Sequence, residues 1–355
     1  MRQRRNVLIT GSGSYLPGLP VSNARLKDLI PDLPMDVFSS YFGIDQRYMV
    51  VDPETCERRD GMGSLGMASR ASRQALERAG LDLQDVDAII TNTTTPESPL
   101  PPISFLLQRE LGVDETQIYD LRGGCAASVQ AMILGKTLIE SGQADTVLLC
   151  GVECTSPVYY KYLKGAVDPD MDVILNGFIF GDGAGALVLQ AGDRATAPPG
   201  RRRRIGYCAT LSKFPHRKIG FEVSNEVDAV NPMVVTTRTR HFNKAISETL
   251  PMVMKAAFSH LIESTGHSFE DFDRIIVPQV NESLIRTAYP EAVDSFVYIF
   301  RQMGNIPAAA IYLAYDLAFP KSDRAPSSPR RDGIVAIETV SWTYAVAELC
   351  DEPGE

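Results

Sequence analysis

The chain has 355 residues and a formal net charge of −9, from 35 Lys and Arg against 44 Asp and Glu. Its 44% hydrophobic and 22% charged residues are globular values, which exclude a disordered tail or a collagen-like repeat. The acidic balance speaks against a phosphate backbone, so no nucleic acid is expected as partner. No apolar run approaches the ~18 residues of a membrane-spanning helix, so no membrane is expected either. The opening MRQRRNVLITGSG has an apolar stretch too short for a secretory leader. Six cysteines in a chain this long do not read as a disulfide framework. The expectation is a cytoplasmic protein with mostly free thiols.

Taken in chain order, the elements come twice. A strand-like opening, VLITGSGSYLP, is followed by a helical stretch at 64–80 (SLGMASRASRQALERAG) that ends in glycine. Next come LQDVDAIITN at 83–92, the short run QIYDL at 117–121, and a glycine-led helix start, GGCAAS, at 123–128. The buried-strand run TVLLCG at 146–151 precedes FGDGAGALVL at 180–189. After a polar Pro/Gly-rich stretch at 191–204 that ends in a run of four arginines, read as a solvated linker, the series begins again. IGYCATLSKFP at 205–215 resembles the opening, and LPMVMKAAFSHLIESTG at 250–266 matches the first helix. FEDFDRIIVP at 269–278 follows LQDVDAIITN at an offset of 186, with GNIPAA at 304–309 and GIVAIE at 333–338 completing the series. A second loose segment lies at 320–331. Self-similarity at a long period is a fold-level signal. Strands alternating with helices predict an α/β protein of two duplicated halves, 1–195 and 196–355.

Cys125 stands out among the thiols. Two glycines precede it, allowing a sharp strand-to-helix turn. A thiol at a helix N-terminus is expected to gain thiolate character from the dipole. Its own N–H is left free by helix geometry and can bind an oxyanion. That is the placement of a covalent acyl-transfer nucleophile, although a buried small hydrophobe has the same local pattern. Cys150 and Cys154 have no nearby histidine, so a metal pair is not expected, and Cys56, Cys208 and Cys350 read as core or surface. FGDGAGA does not precede a helix, so it lacks a nucleotide-binding context; its small residues suit tight layer packing.

These motifs together resemble the thiolase superfamily and, within it, the ketoacyl-acyl carrier protein synthase III group. The resemblance rests on GSGSYLP at 11–17, on FGI at 42–44 with Arg47, on Cys125 in GCAAS, on FGDGAGALVL, and on Gly304-Asn305 with the small residues that follow. It spans residues 1 to about 349. It implies a thiolase-like five-layer αβαβα fold, a homodimer pairing near Tyr119 and Glu97, and Cys125 as nucleophile, with the asparagine of the group's Cys-His-Asn triad retained as Asn305. An acyl thioester of an acyl carrier protein or of coenzyme A is implied as substrate, and no cofactor.

The chain departs from the group at three places. Where the group carries its histidine, VPQVN at 277–281 has none, and Gln279 is the nearest replacement. Val37 and Tyr41 stand approximately where the group has the tryptophan and arginine of its coenzyme A site. Glu338 and the residues to Tyr344 replace the glycine-rich loop that completes the group's oxyanion hole. A relocated base is therefore sought among His216, His241 and Glu97, with His260 and His267 read as solvated or capping. The leading reading is an acyltransferase, loading Cys125 and passing the acyl group to an acceptor in secondary metabolism. A true carbon–carbon condensing synthase and a non-catalytic ketosynthase partner subunit are the alternatives.

Overall fold

The computed structural model describes residues 5–29, 38–59, 62–158, 178–198, 200, 202–227, 235–319 and 329–351. Val37 and most of the loose segment at 320–331 lie outside the described residues. The first half supplies strands β1 (Val7–Tyr15), β2 (Ala88–Thr93), β3 (Gln117–Arg122), β4 (Thr146–Glu153) and β5 (Gly183–Ala191). The second half supplies β6 (Arg203–Ser212), a hairpin of β7 (Phe221–Val227) and β8 (Val235–His241), then β9 (Arg274–Ile276), β10 (Phe296–Val297), β11 (Arg331–Glu338) and β12 (Thr343–Cys350). The principal helices are α1 (Ser64–Ala79), α2 (Ile103–Leu111), α3 (Cys125–Ser141), α4 (Asn243–Thr265) and α5 (Ala310–Ala318).

The duplication is written in the strand order. The first half runs β3-β2-β4-β5-β1 and the second β10-β9-β11-β12-β6, the same order and the same strand directions. The two sets join edge to edge through a short antiparallel pairing of Leu8 with Arg204 and Ile9 with Arg203. Register corrects one detail of the repeat. Ala88 pairs with Val147 and Arg274 with Asp332. Thr146–Gly151 therefore corresponds to 331–336, two residues earlier than the apolar pattern suggested, and Glu153 corresponds to Glu338.

Alternation along the strands explains the layers. Val147 and Leu149 of β4 and Leu187 and Leu189 of β5 face α3 and α5, while Leu148, Cys150, Ala186 and Val188 face α1. In the second half Ile334, Ala336, Ala345 and Ala347 face the same central pair, whereas Val335, Ile337, Tyr344 and Val346 face α4. The layers are thus α1, sheet, α3 with α5, sheet, α4: the expected five-layer thiolase fold. Each fully buried Leu, Ile or Val contributes about 1.5–3 kcal/mol. Small residues hold the layers close. A Cβ on Gly185 would lie 2.7 Å from the Cβ of Tyr312, and one on Gly151 would overlap the Ala308 carbonyl. Helices α1 and α4 stop at Gly80 and Gly266, both left-handed, as the sequence pattern predicts.

The arginine run that leads into β6 is not a solvated linker throughout, because its last two members open the strand. Arg203 is buried and ion-paired to Asp332 and Asp351, and Arg204 donates to the sulfur of Cys350. Among the described residues no helix is long and apolar enough to cross a membrane.

Candidate active site

β3 ends at Arg122, and the chain turns through Gly123 and Gly124 into α3, whose first residue is Cys125. The first glycine keeps the turn close to its neighbours: a Cβ on Gly123 would sit 3.0 Å from both Oε2 of Glu338 and the Cβ of Ala127, whereas one on Gly124 would meet Pro307 at an ordinary 3.4 Å. Cys125 is 5% exposed and opens on a cavity of about 660 Å³ shared with Asn305, His241, Glu97, Val280 and Glu338. Burial pushes its thiol up to about 12, helped by the carboxylates of Glu338 and Glu153. This corrects the expectation of thiolate character. The helix start leaves unpaired amides for an oxyanion, but desolvation and two nearby carboxylates outweigh its dipole.

Asn305 is placed by its backbone, whose N–H donates to the Ile179 carbonyl at 2.8 Å and whose C=O accepts from Gly181 at 2.8 Å. This clamps it beside FGDGAG. Within that motif Asp182 accepts from the amides of Val50, Thr155 and Ser156 and so ties two other segments, at 50 and at 155–156, to its own. The Oδ1 of Asn305 is buried with no hydrogen-bond partner among the described residues. A buried carbonyl oxygen without a donor is costly, and here it lies in a cavity that can hold a ligand.

Gln279 is not brought to the site. Its side chain is buried elsewhere, Nε2 donating to the carbonyls of Val277 (2.8 Å) and Val297 (3.2 Å). Oε1 accepts from the amides of Ile299 (2.8 Å) and Phe300 (3.2 Å). Every strong valence of the amide is spent on tying the loop after β9 to the segment after β10. The residue that this loop presents to the cavity is Val280, which has no proton to give.

The three alternative bases part company. His216 is exposed on a turn outside the cavity. His241, the last residue of β8, lines the cavity with its ring 4.7 Å from that of Phe221 and stacked on Phe180 at 6.1 Å. Burial holds its imidazole down, at about 4, and Nδ1 has no partner among the described residues. It is a neutral imidazole. Glu97 stands at the cavity mouth, ion-paired to Arg58 at 2.5 Å. His260 and His267 are neither solvated caps nor site residues. The first is bonded between the hydroxyls of Tyr207 and Tyr344, and the second faces Glu348.

Sequence reasoning missed three lining groups. Cys154, read as bland, opens on the same cavity, though burial also pushes its thiol up. Val280 was one residue from the position singled out. Glu338 was noted only as occupying the place of a glycine loop. Its Oε2 accepts from the Gly124 amide at 3.1 Å and its Oε1 from the Ser341 hydroxyl. Trp342, in the same segment, is 1% exposed and donates its indole N–H to the Lys218 carbonyl, which is a structural role. Arg47, from the FGI region, is likewise buried and holds Phe178 and Asn23.

The duplicated halves and the cavity at the start of the central helix place the protein among thiolase-fold enzymes. A family model described as 3-oxoacyl-[acyl-carrier-protein] synthase III matches residues 119–198, from within β3 through Cys125 to just past β5. A β-ketoacyl-[acyl-carrier-protein] synthase III of Dinoroseobacter shibae is 29% identical over 337 residues, covering 91% of this chain and 93% of the relative. Among solved structures, the tetronic acid condensing enzyme AbyA1 superposes with a TM-score of 0.82 at 23% identity, over 97% of this chain and 99% of that one. The priming β-ketosynthase of the R1128 polyketide biosynthetic pathway gives 0.78 at 25% identity, over 99% of both chains. By family model, relatives and fold together, the chain is similar to enzymes of the ketoacyl-acyl carrier protein synthase III type of the thiolase superfamily.

Proposed function

We propose that the protein is an acyltransferase that takes an acyl group on Cys125 as a thioester and passes it to an acceptor. The observation that carries this reading is Cys125 at the first position of α3, opening on a cavity it shares with Asn305. Attack by Sγ on an acyl thioester generates a tetrahedral oxyanion, which the unpaired amides at the start of α3 can bind. Covalent capture splits the transfer into two displacements, each at the same carbon and the same sulfur. Asn305 and the cavity walls orient the acyl carbonyl against that sulfur, converting an encounter into an intramolecular step.

Val280 in place of an imidazole argues against ordinary malonyl decarboxylation. The similarity to the priming β-ketosynthase of a polyketide biosynthetic pathway supports a role in secondary metabolism. An acyl carrier protein is the favoured thioester donor or acceptor, over free coenzyme A, because the sequence lacks the aromatic and basic residues that anchor the nucleotide in the group. The active form is a homodimer, paired through the edge strand β3 and the loop around Glu97.

One observation favours a second reading, carbon–carbon condensation with a relocated base. His241 offers a neutral imidazole inside the cavity. The purified protein, incubated with acyl thioesters of carrier protein and of coenzyme A, should gain one acyl mass that a competent acceptor removes. Absence of any adduct across a panel of short, medium and aromatic acyl groups would contradict acyl transfer.

A further inference from the structure

Two corresponding strands end in a matched pair of glutamates, Glu153 on β4 and Glu338 on β11, and both carboxylates act on the Cys125 thiol. The pair is not used symmetrically. Glu153 is fully buried and locked by four donors, the Thr94 amide and hydroxyl, the Thr95 hydroxyl and the Ala308 amide. It does not line the cavity. Glu338 does, and among the described residues it holds only the Gly124 amide and the Ser341 hydroxyl.

We propose that Glu338 is a catalytic proton carrier for transfer at Cys125, taking the Sγ–H proton as sulfur attacks the acyl donor and returning it to the leaving thiolate. The proposal rests on the reading that Cys125 is acylated. In the first displacement the Sγ–acyl bond forms, the proton moves to a Glu338 oxygen, the carbon–sulfur bond to the carrier breaks, and the carrier thiolate collects the proton. In the second, the acceptor's X–H proton moves to Glu338 as the new acyl bond forms, and Glu338 returns it to the departing Sγ. Atoms and charge balance in each half, with no redox step.

The surroundings leave this role to few groups. Around the thiol stand Glu338, Glu153, the Glu97–Arg58 pair at the mouth, Arg122 at the end of β3, and neutral His241. A thiol raised this far does not ionise in advance at neutral pH, so its proton must leave during attack. A carboxylate beside it opposes a free thiolate, yet that repulsion vanishes once the carboxylate has accepted the proton. Glu338 is anchored through Gly124, the residue before the nucleophile, so its carboxylate is fixed relative to the thiol's own turn.

Glu338→Gln is the test, because glutamine keeps the size and can still accept from Gly124 and bond to Ser341. Two rates on Cys125 are read by mass spectrometry, acyl loading from an acyl thioester and alkylation by iodoacetamide at pH 9. Loading should fall by about 10²-fold or more, while alkylation stays equal or rises, since a negative charge near the thiolate is gone. Loading unchanged in the variant overturns the proposal alone. Loading and alkylation falling together would mean a structural role and also overturn it. No loading in the wild type overturns the acyl-transfer reading and this proposal with it.

Discussion

Replacing Gln279 by alanine should unfold the protein more easily and leave its chemistry nearly intact. The side chain makes four hydrogen bonds to backbone, two received and two donated, at 2.8–3.2 Å. At about 1 kcal/mol net for each, alanine costs about 4 kcal/mol before any term for the space it leaves. With an unfolding entropy of about 2.1 cal/mol/K per residue, that corresponds to about 5 °C in melting temperature for a chain this long. Calorimetry of wild type and Gln279→Ala reads the shift directly. Acyl loading of Cys125, measured well below both transitions, should remain within about threefold of wild type, because Gln279 does not line the cavity. A variant that melts like the wild type yet fails to load would refute this reasoning and restore Gln279 to the reaction.

Carbon dioxide release from malonyl carrier protein should be slow in the wild type, since Val280 presents no imidazole; brisk release would show that His241 or a carboxylate has assumed the task. Any step using His241 as a base should show no inflection between pH 5.5 and 8. Its folded value is depressed from 6.5 to about 4, so the ring is already neutral throughout that window. The same depression means stability is lost as pH falls from 6.5 toward 4, where the unfolded chain protonates first, and His241→Phe should remove that part of the loss. Sedimentation at micromolar concentration should find a dimer, and a monomer there would contradict the pairing through β3.

The halves were legible because burial on both faces of a sheet forces apolar strands, and a duplicated fold repeats them at a near-fixed offset. The place of Cys125 at a helix start was legible because a glycine turn before a helix is a local signal, whereas Asn305 was singled out only through the family resemblance. The two-residue slip in the β4–β11 match arose because apolar runs mark burial without marking register. Gln279 and Val280 were exchanged for a related reason. In an irregular loop, adjacent residues face opposite ways, and only the partners of the Gln279 amide decide which one turns inward. His241 reaches the cavity from the end of a hairpin, and Glu338 from the end of a strand in the other half. Neither approach leaves a mark in local spacing.

Cys125 and Cys154 open on one cavity, so either sulfur could carry the acyl group. Wild type, Cys125→Ala and Cys154→Ser are each incubated with the acyl thioester that labels best, digested, and mapped by tandem mass spectrometry. Acyl label is expected on the peptide containing Cys125 in wild type and Cys154→Ser, and none in Cys125→Ala. Label that persists on Cys154 when Cys125 is alanine, at the wild-type rate, would contradict that expectation.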